Sequence, residues 1–283
     1  MTHAALLALV LLAQDPDAHR VGDFTISFKE RHPLSALKEL CRRQGWNIAE
    51  VRKNEPGLEG LKIEDESFAV TVPETYTREK SFGLLVWISP ADSGMVPREW
   101  LETLAKRNLI AVGANNSGNS RGVGYRIGFA LDAVHNLSRL YSIDPKRIYI
   151  SGFSGGGRTA SRVGLTFADI FGGGIYQGGM DFYKAVADPA DAKKEFRPLF
   201  VKPEGDLLKK MKTESRHVVL VGQEDFNRPS SKAIFDVMTK REGFTRATYV
   251  EMPGKGHEPA DAETLGKALD TLDAPMKEEK PKK

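Results

Sequence analysis

Directly behind the strand-like run 147–151 stands Gly152-Phe153-Ser154-Gly155-Gly156, a glycine–x–serine–x–glycine pattern. A pattern of this kind reverses a strand sharply into a helix and lifts the serine hydroxyl above the sheet edge. The turn crowds together the residues two before and two after the serine, so both must be small. Gly152 and Gly156 meet that need. A strand, a tight turn and a helix in that order commit this stretch to a mixed strand–helix architecture.

The remaining sequence reads the same way. Phe24, Ile26 and Phe28 alternate with polar residues, as in a half-buried strand. A helical stretch runs from Leu34 to near Gly45. Residues 68–73 and 84–88 are strand-like, the second apolar enough to be buried on both faces. Pro97 opens a helix, and 109–113 is another buried strand. Ile127, Ala130, Leu131, Val134, Leu137 and Tyr141 share one face of a long helix. Asp144-Pro145 reads as a turn into the strand 147–151. Helix follows from Gly155 to about Phe167, then a short strand at 174–177. Strands at 217–222 and 247–252 flank a helix over 231–240, and a helix over 262–272 closes the pattern. Such alternation implies a mainly parallel sheet with helices on both faces. The opening strands lack long connecting helices, which suits an antiparallel edge.

Composition narrows the function classes. The 283 residues are 40% apolar and 28% charged, as in ordinary globular proteins. The net charge of +3 is small against 41 basic and 38 acidic residues, which favours neither nucleic acid nor a membrane surface as partner. One cysteine, Cys41, leaves no intramolecular disulfide. It lies at helical spacing from Leu34 and Leu37 and reads as a small buried hydrophobe. No Cys/His cluster offers a metal site. Residues 4–13 are an unbroken apolar run followed by Gln14-Asp15-Pro16-Asp17. The run is too short to span a bilayer, and residues 1–13 read as a signal peptide for a secreted or periplasmic protein, with no membrane insertion after cleavage. Residues 275–283 form a charged tail expected to be solvated and disordered.

A serine hydroxyl is a weak nucleophile near neutral pH and needs a base within reach and an acid to orient that base. Loops at the carboxyl ends of parallel strands gather at one sheet edge. Ser154 follows one strand there, Asp225 follows the next long one, and His257 follows the last in Gly254-Lys255-Gly256-His257. The other histidines lie at the N-terminus (His3, His19), in an early polar loop (His32), inside a helix (His135) and at a strand start (His217). Glu224 is the rival acid, and Asp225 could alternatively cap the helix that follows it. The order Ser, Asp, His fits a Ser–His–Asp triad. Gly155 N–H, at a helix start, is the first oxyanion donor. Pro90 has no N–H, so in Ser89-Pro90-Ala91 the second donor is Ala91, with Ser89 behind it.

Over residues 68–272 the chain resembles the α/β-hydrolase superfamily, in particular esterases related to polyhydroxybutyrate depolymerases and feruloyl or acetylxylan esterases. The resemblance rests on 84–88 with its loop, 152–156, 222–225 and 254–257. It implies two-step acyl transfer to water through an acyl-enzyme on Ser154, without metal or organic cofactor. Such esterases carry His-Gly where this chain has Ser89-Pro90. Residues 14–67 lie outside the pattern as an N-terminal extension, an added edge strand and helix, before a catalytic domain over 68–274.

Two segments bear on substrate, a small-molecule or polymeric ester. The loop Asn115-Asn116-Ser117-Gly118-Asn119-Ser120-Arg121 borders the site edge; Asn115, Asn116 and Arg121 are either contacts for a hydroxylated or carboxylate-bearing substrate or ordinary turn residues. Residues 181–215 either cap the pocket or anchor their aromatics Phe182, Tyr183, Phe196 and Phe200 to the core. Gly152 with Gly157-Arg158-Thr159 imitates a phosphate-binding loop, but arginine replaces the lysine and Asp225 and His257 would be idle. A prolyl-oligopeptidase-like peptidase would use the same fold and triad order. A non-catalytic binding protein on this fold is the reading from another class.

Overall fold

The computed structural model describes residues 18–274, so the signal-peptide and tail expectations lie outside the described residues. In chain order the elements are β1 (Gly22–Ile26), α1 (Leu37–Gln44), α2 (Ile48–Asn54), β2 (Phe68–Val72), β3 (Phe82–Ile88), α3 (Leu101–Lys106), β4 (Leu109–Ala114), α4 (Val123–Leu140), β5 (Ile143–Phe153) and α5 (Gly155–Thr166). There follow β6 (Gly173–Gln177), β7 (Val186–Asp188), β8 (Asp191–Phe196), α6 (Gly205–Thr213), β9 (Arg216–Gly222), α7 (Arg228–Lys240), β10 (Ala247–Met252) and α8 (Ala262–Asp273).

Eight strands make one sheet in the order β1-β2-β4-β3-β5-β6-β9-β10. From β4 through β3 to β10 every pairing is parallel, while β1–β2 and β2–β4 are antiparallel. The parallel strands are apolar on both faces because both faces are covered. Strand β3 divides its side chains cleanly: Leu84, Val86 and Ile88 join the larger core with α1, α4 and α5, whereas Leu85 and Trp87 join a second core with α3 and α8. Residues before 68 belong to this body, since β1 pairs with β2 and buries Phe24 and Ile26 in the larger core.

Three local readings are corrected. Asp144-Pro145 lies within β5 rather than in a turn before it: Phe82 opposes Ile143 and Leu84 opposes Ile148, so the extra residues bulge out and absorb the proline. Pro97 caps a short 3-10 turn at Arg98–Trp100 instead of standing inside the helix. The helix expected from Leu34 is a 3-10 turn (Pro33–Ser35) followed by α1, which ends on Gly45 in the left-handed region at φ 71°.

Residues 181–215 hold the β7–β8 hairpin and α6. Phe182, Tyr183 and Phe200 are buried, whereas Phe196 is only partly so. The segment is tied down by one buried acid. Glu242, 8% exposed, accepts from Tyr183 Oη (2.9 Å), Lys184 Nζ (2.7 Å) and Lys212 Nζ (3.2 Å), and pairs with Lys202 at 3.3 Å. Burial works to raise its pKa, but hydrogen bonds from Lys184, Tyr183, Lys212 and Lys202 outweigh it and hold the carboxyl down to about 2.

Candidate active site

Strand β5 runs straight into α5 through Ser154, which sits at φ 56°, ψ −120°. An L-residue pays strain in this left-handed region, and such strain persists only where the surroundings enforce it. Here they do. The Ser154 N–H donates to the Gln177 carbonyl at the end of β6 (2.9 Å), and the Ser154 carbonyl accepts the Arg158 N–H of α5 (3.0 Å). The turn crosses β3 so closely that a Cβ on Gly156 would collide with the Ile88 carbonyl, and one on Gly152 with the Gly156 carbonyl. Glycine is obligatory at both positions for space.

The acid loop and the histidine loop are stitched to each other by main-chain bonds. Gln223 N–H donates to the Met252 carbonyl (3.0 Å) and Glu224 N–H to the Lys255 carbonyl (2.9 Å). Behind His257, Ala260 is held on both backbone groups: its N–H donates to Gln177 Oε1 (2.9 Å) and its carbonyl accepts Trp100 Nε1–H (2.8 Å). Gln177, fully buried, also donates through Nε2 to Ser151 Oγ (3.0 Å). One amide therefore links the strand before the nucleophile to the loop that carries the base.

The three loops place Ser154, His257 and Asp225 in a line. Ser154 Oγ lies 2.8 Å from His257 Nε2, and His257 Nδ1 lies 2.9 Å from Asp225 Oδ2. Asp225 is 3% exposed, and its other oxygen, Oδ1, accepts the Asn227 N–H at 2.7 Å. The carboxylate thus orients the imidazole with one oxygen and tightens the turn into α7 with the other, combining two roles that the sequence left as alternatives. Glu224, the rival acid, points no hydrogen bond at the ring and is exposed. The imidazole is clasped between Phe153 and Phe226, at ring-centroid distances of 4.7 and 4.3 Å. Phe226 is 73% exposed, so it presents an apolar face to solvent beside the base.

Gly155 is the first residue of α5, where backbone N–H groups lack helical partners and carry partial positive charge. The expectation for Ala91 needs correction: its N–H donates to Ser89 Oγ at 3.1 Å, closing a small turn around Pro90. Another residue reaches the elbow instead. A Cβ on Gly155 would strike the side chain of Asn119, so the exposed Asn119 carboxamide lies directly on the first residue of α5.

Of the three residues expected to meet substrate, two are engaged elsewhere. Asn115 accepts the Gly94 N–H (3.0 Å) and donates to Ser67 Oγ (3.1 Å), fastening its loop to its neighbours. Arg121 pairs with Glu66 and stacks on Tyr125, 4.3 Å from the ring centroid. Asn116 is exposed at φ 50°, its N–H given to the Asp92 carbonyl (2.7 Å). Sequence reasoning passed over Asn119, Gln177 and Asn227, whose contacts join residues far apart in the chain. Asn227 Oδ1 accepts from Arg158 Nη2 (3.1 Å), and its Nδ2 donates to the Gly178 carbonyl (2.9 Å). Beyond Arg158 a cavity of about 130 Å³ opens under the hairpin, walled by Met180, Phe182, Phe196, Leu199 and Ile234.

Neither protein-family models nor curated proteins give a match to the sequence. Among solved structures the chain is similar to an S-formylglutathione hydrolase from Staphylococcus aureus, with TM-score 0.55 and 11% identity over 89% of this chain and 98% of that one. It is also similar to the feruloyl esterase module of Clostridium thermocellum, with TM-score 0.53 and 15% identity over 73% of this chain and 82% of that one. The chain has the α/β-hydrolase fold. A Bacteroides ovatus protein described as a candidate dipeptidyl aminopeptidase IV aligns with TM-score 0.56 and 14% identity over 89% of this chain, which spans only 35% of that protein's length. At these identities the likeness is one of fold. Among the described residues, no helix is long and apolar enough to cross a membrane.

Proposed function

We propose that the protein is a serine hydrolase that cleaves carboxylic esters by way of an acyl-enzyme on Ser154. The observation that carries this is the unbroken relay Ser154 Oγ–His257 Nε2–His257 Nδ1–Asp225 Oδ2, with steps of 2.8 and 2.9 Å. Asp225 accepts the Nδ1 proton, which leaves the Nε2 lone pair facing the serine hydroxyl. As Ser154 Oγ bonds to the ester carbon, the carbonyl π pair moves to its oxygen and the hydroxyl proton passes to Nε2. The tetrahedral centre collapses, His257 returns the proton to the departing alkoxide, and the acyl group stays on Ser154. Water then repeats the sequence, with His257 as base, and releases the acid.

The oxyanion is received by the N–H of Gly155. A second donor is the carboxamide of Asn119 or, once Ser89 Oγ turns away, the N–H of Ala91. Asn119→Ala separates the two: about a 10²-fold fall in kcat assigns the role to Asn119, and an unchanged kcat returns it to Ala91. The exposed ring of Phe226 and the apolar cavity beyond Arg158 suit an apolar acyl or aryl group. We place the substrates among acylated carbohydrates and polyester-type esters, and the protein outside the cytoplasm on the strength of the apolar leader 4–13.

The test is turnover of p-nitrophenyl acetate, acetylated and feruloylated sugars and peptide anilides. Ser154→Ala should lower ester turnover by about 10⁴-fold or more, and a fluorophosphonate should label wild type stoichiometrically at Ser154. A folded wild type that neither turns over esters nor takes the label would overturn the reading. The likeness to the B. ovatus peptidase-like protein keeps one rival in view, and anilide turnover well above ester turnover would establish it.

A further inference from the structure

A buried cation lies beneath the elbow. Arg126, the fourth residue of α4, is 5% exposed. Its Nη2–H donates to the Ser89 carbonyl at 2.8 Å and its Nη1–H to the Gly155 carbonyl at 3.4 Å. Its Nε has no partner. It borders a void of about 10 Å³ whose other walls include Val86, Trp87, Ile88 and Phe129, room for about one water. Among the described residues no carboxylate pairs with it, and burial alone draws its pKa down to about 10.

This is unlike the treatment of buried acids elsewhere in the chain. Asp132 pairs with Arg31, Asp181 with Arg158 and Arg162, and Glu242 with three lysines. An uncompensated buried guanidinium is costly, because the interior replaces its hydration poorly. The two carbonyls it holds belong to the segments that flank the place where an acyl oxygen must sit: Ser89 follows β3, and Gly155 opens α5.

We propose that Arg126 is a positioning residue for the oxyanion site, one whose two hydrogen bonds fix the walls of that site and whose unneutralised charge favours the anion formed there. The inference rests on the serine-hydrolase reading above. In the ground state the substrate carbonyl is neutral and gains little from the cation. When Ser154 Oγ bonds to carbon, the π pair moves to oxygen and the proton moves to His257. A negative charge then appears next to peptides already aligned by a buried positive one, with no reorganisation needed. Stabilisation confined to that moment raises kcat and leaves KM nearly unchanged.

The experiment compares Arg126→Met, Arg126→Gln and Arg126→Lys with wild type. It measures kcat and KM on p-nitrophenyl acetate, the rate of fluorophosphonate inactivation, and Tm. Met and Gln should lower kcat and the inactivation rate by about 10²-fold with KM within about threefold. Lys should recover about tenfold over Gln, because it restores charge where Gln restores only a donor. The Tm of the Met variant should equal or exceed that of wild type. A Met variant within twofold of wild-type kcat would sink the proposal. So would a Gln variant that matches or exceeds Lys, since a purely structural clamp needs donors and no charge. A loss that vanishes on correction for folded fraction would sink it equally. Should Met not fold, the order of Lys and Gln decides alone. Failure of the hydrolase reading is recognised separately, by a wild type without turnover or labelling.

Discussion

Two histidines of this chain are built alike and put to opposite uses. His217 at the start of β9 and His257 beyond β10 each have both ring nitrogens engaged and aromatic rings alongside. Tyr176 and Phe244 flank the first, Phe153 and Phe226 the second. His217 Nε2 lies 2.8 Å from the Met211 carbonyl, an acceptor only, so Nε2 carries the proton and Nδ1 accepts from Tyr176 Oη at 2.8 Å. His257 holds the other tautomer: Nδ1 donates to Asp225 and Nε2 accepts from Ser154. His217 is 1% exposed and has no acid beside it; burial, against a weaker upward pull from the Met211 carbonyl, draws its pKa down to about 4. His257 keeps 23% of its side chain in solvent and has a buried carboxylate to stabilise an imidazolium. A hydrogen-bonded, ring-flanked histidine is therefore not in itself a base. What makes one is a carboxylate at Nδ1 and a hydroxyl at Nε2 that open to substrate.

The comparison can be broken at its sharpest point by Asp225→Asn. The amide can donate to Nδ1 and select the wrong tautomer, so kcat should fall about 10³- to 10⁴-fold with little change in fold. Near-normal turnover would mean that the carboxylate is not what separates the two rings. At the other histidine, His217→Ala should cost about 3 kcal/mol in urea unfolding, through a lost core ring and stranded Tyr176 and Met211 groups. The kcat of the folded fraction should not change; a tenfold fall would erase the division of labour.

The pH dependence of stability sharpens the contrast. The folded-state pKa of His217, about 4, lies below its ordinary 6.5, so the unfolded chain takes up the proton first as pH falls. Its contribution is whole above pH 6.5 and is lost on the way down to about 4. In denaturant titrations from pH 7 to 4, His217→Gln should show a shallower slope than wild type, and equal slopes would refute the assignment. The smallest effect expected is that of Phe226→Ala. Being 73% exposed, the ring contributes within about 0.5 kcal/mol to stability, yet its loss should lower kcat/KM for aryl esters about tenfold.

Legibility in the sequence followed apolar pattern and main-chain demand. The strands 109–113 and 247–252 were plain because a sheet covered on both faces needs unbroken apolar runs, and β4 and β10 supply them. Hairpin strand β8 was invisible: Asp191-Ala192-Lys193-Lys194-Glu195-Phe196 has no apolar alternation, since the hairpin stands outside the main sheet. Helix α2 escaped because it is one short segment whose start depends on the Asn47 side chain accepting from Ala49 and Glu50 N–H. The positions of Ser154, Asp225 and His257 at three strand ends could be read from chain order alone. Their supports could not. Gln177 reaches Ala260 across 83 residues and Arg126 reaches Ser89 across 37, and no local spacing encodes such meetings. Asn115 and Arg121 misled for the same reason: their partners Ser67, Gly94 and Glu66 lie in other loops.

The four-way grip on Glu242 has a consequence for a molecule exposed to proteases. Tyr183 and Lys184 hold it from before the β7–β8 hairpin, Lys202 and Lys212 from after it. The hairpin tip at Pro189-Ala190 is exposed, the kind of place where nicking begins. A cut there leaves both new ends fastened to one carboxylate. The nicked protein should run as two fragments on a denaturing gel yet elute as one particle of unchanged size, and separation of the fragments without denaturant would show that the grip is too weak.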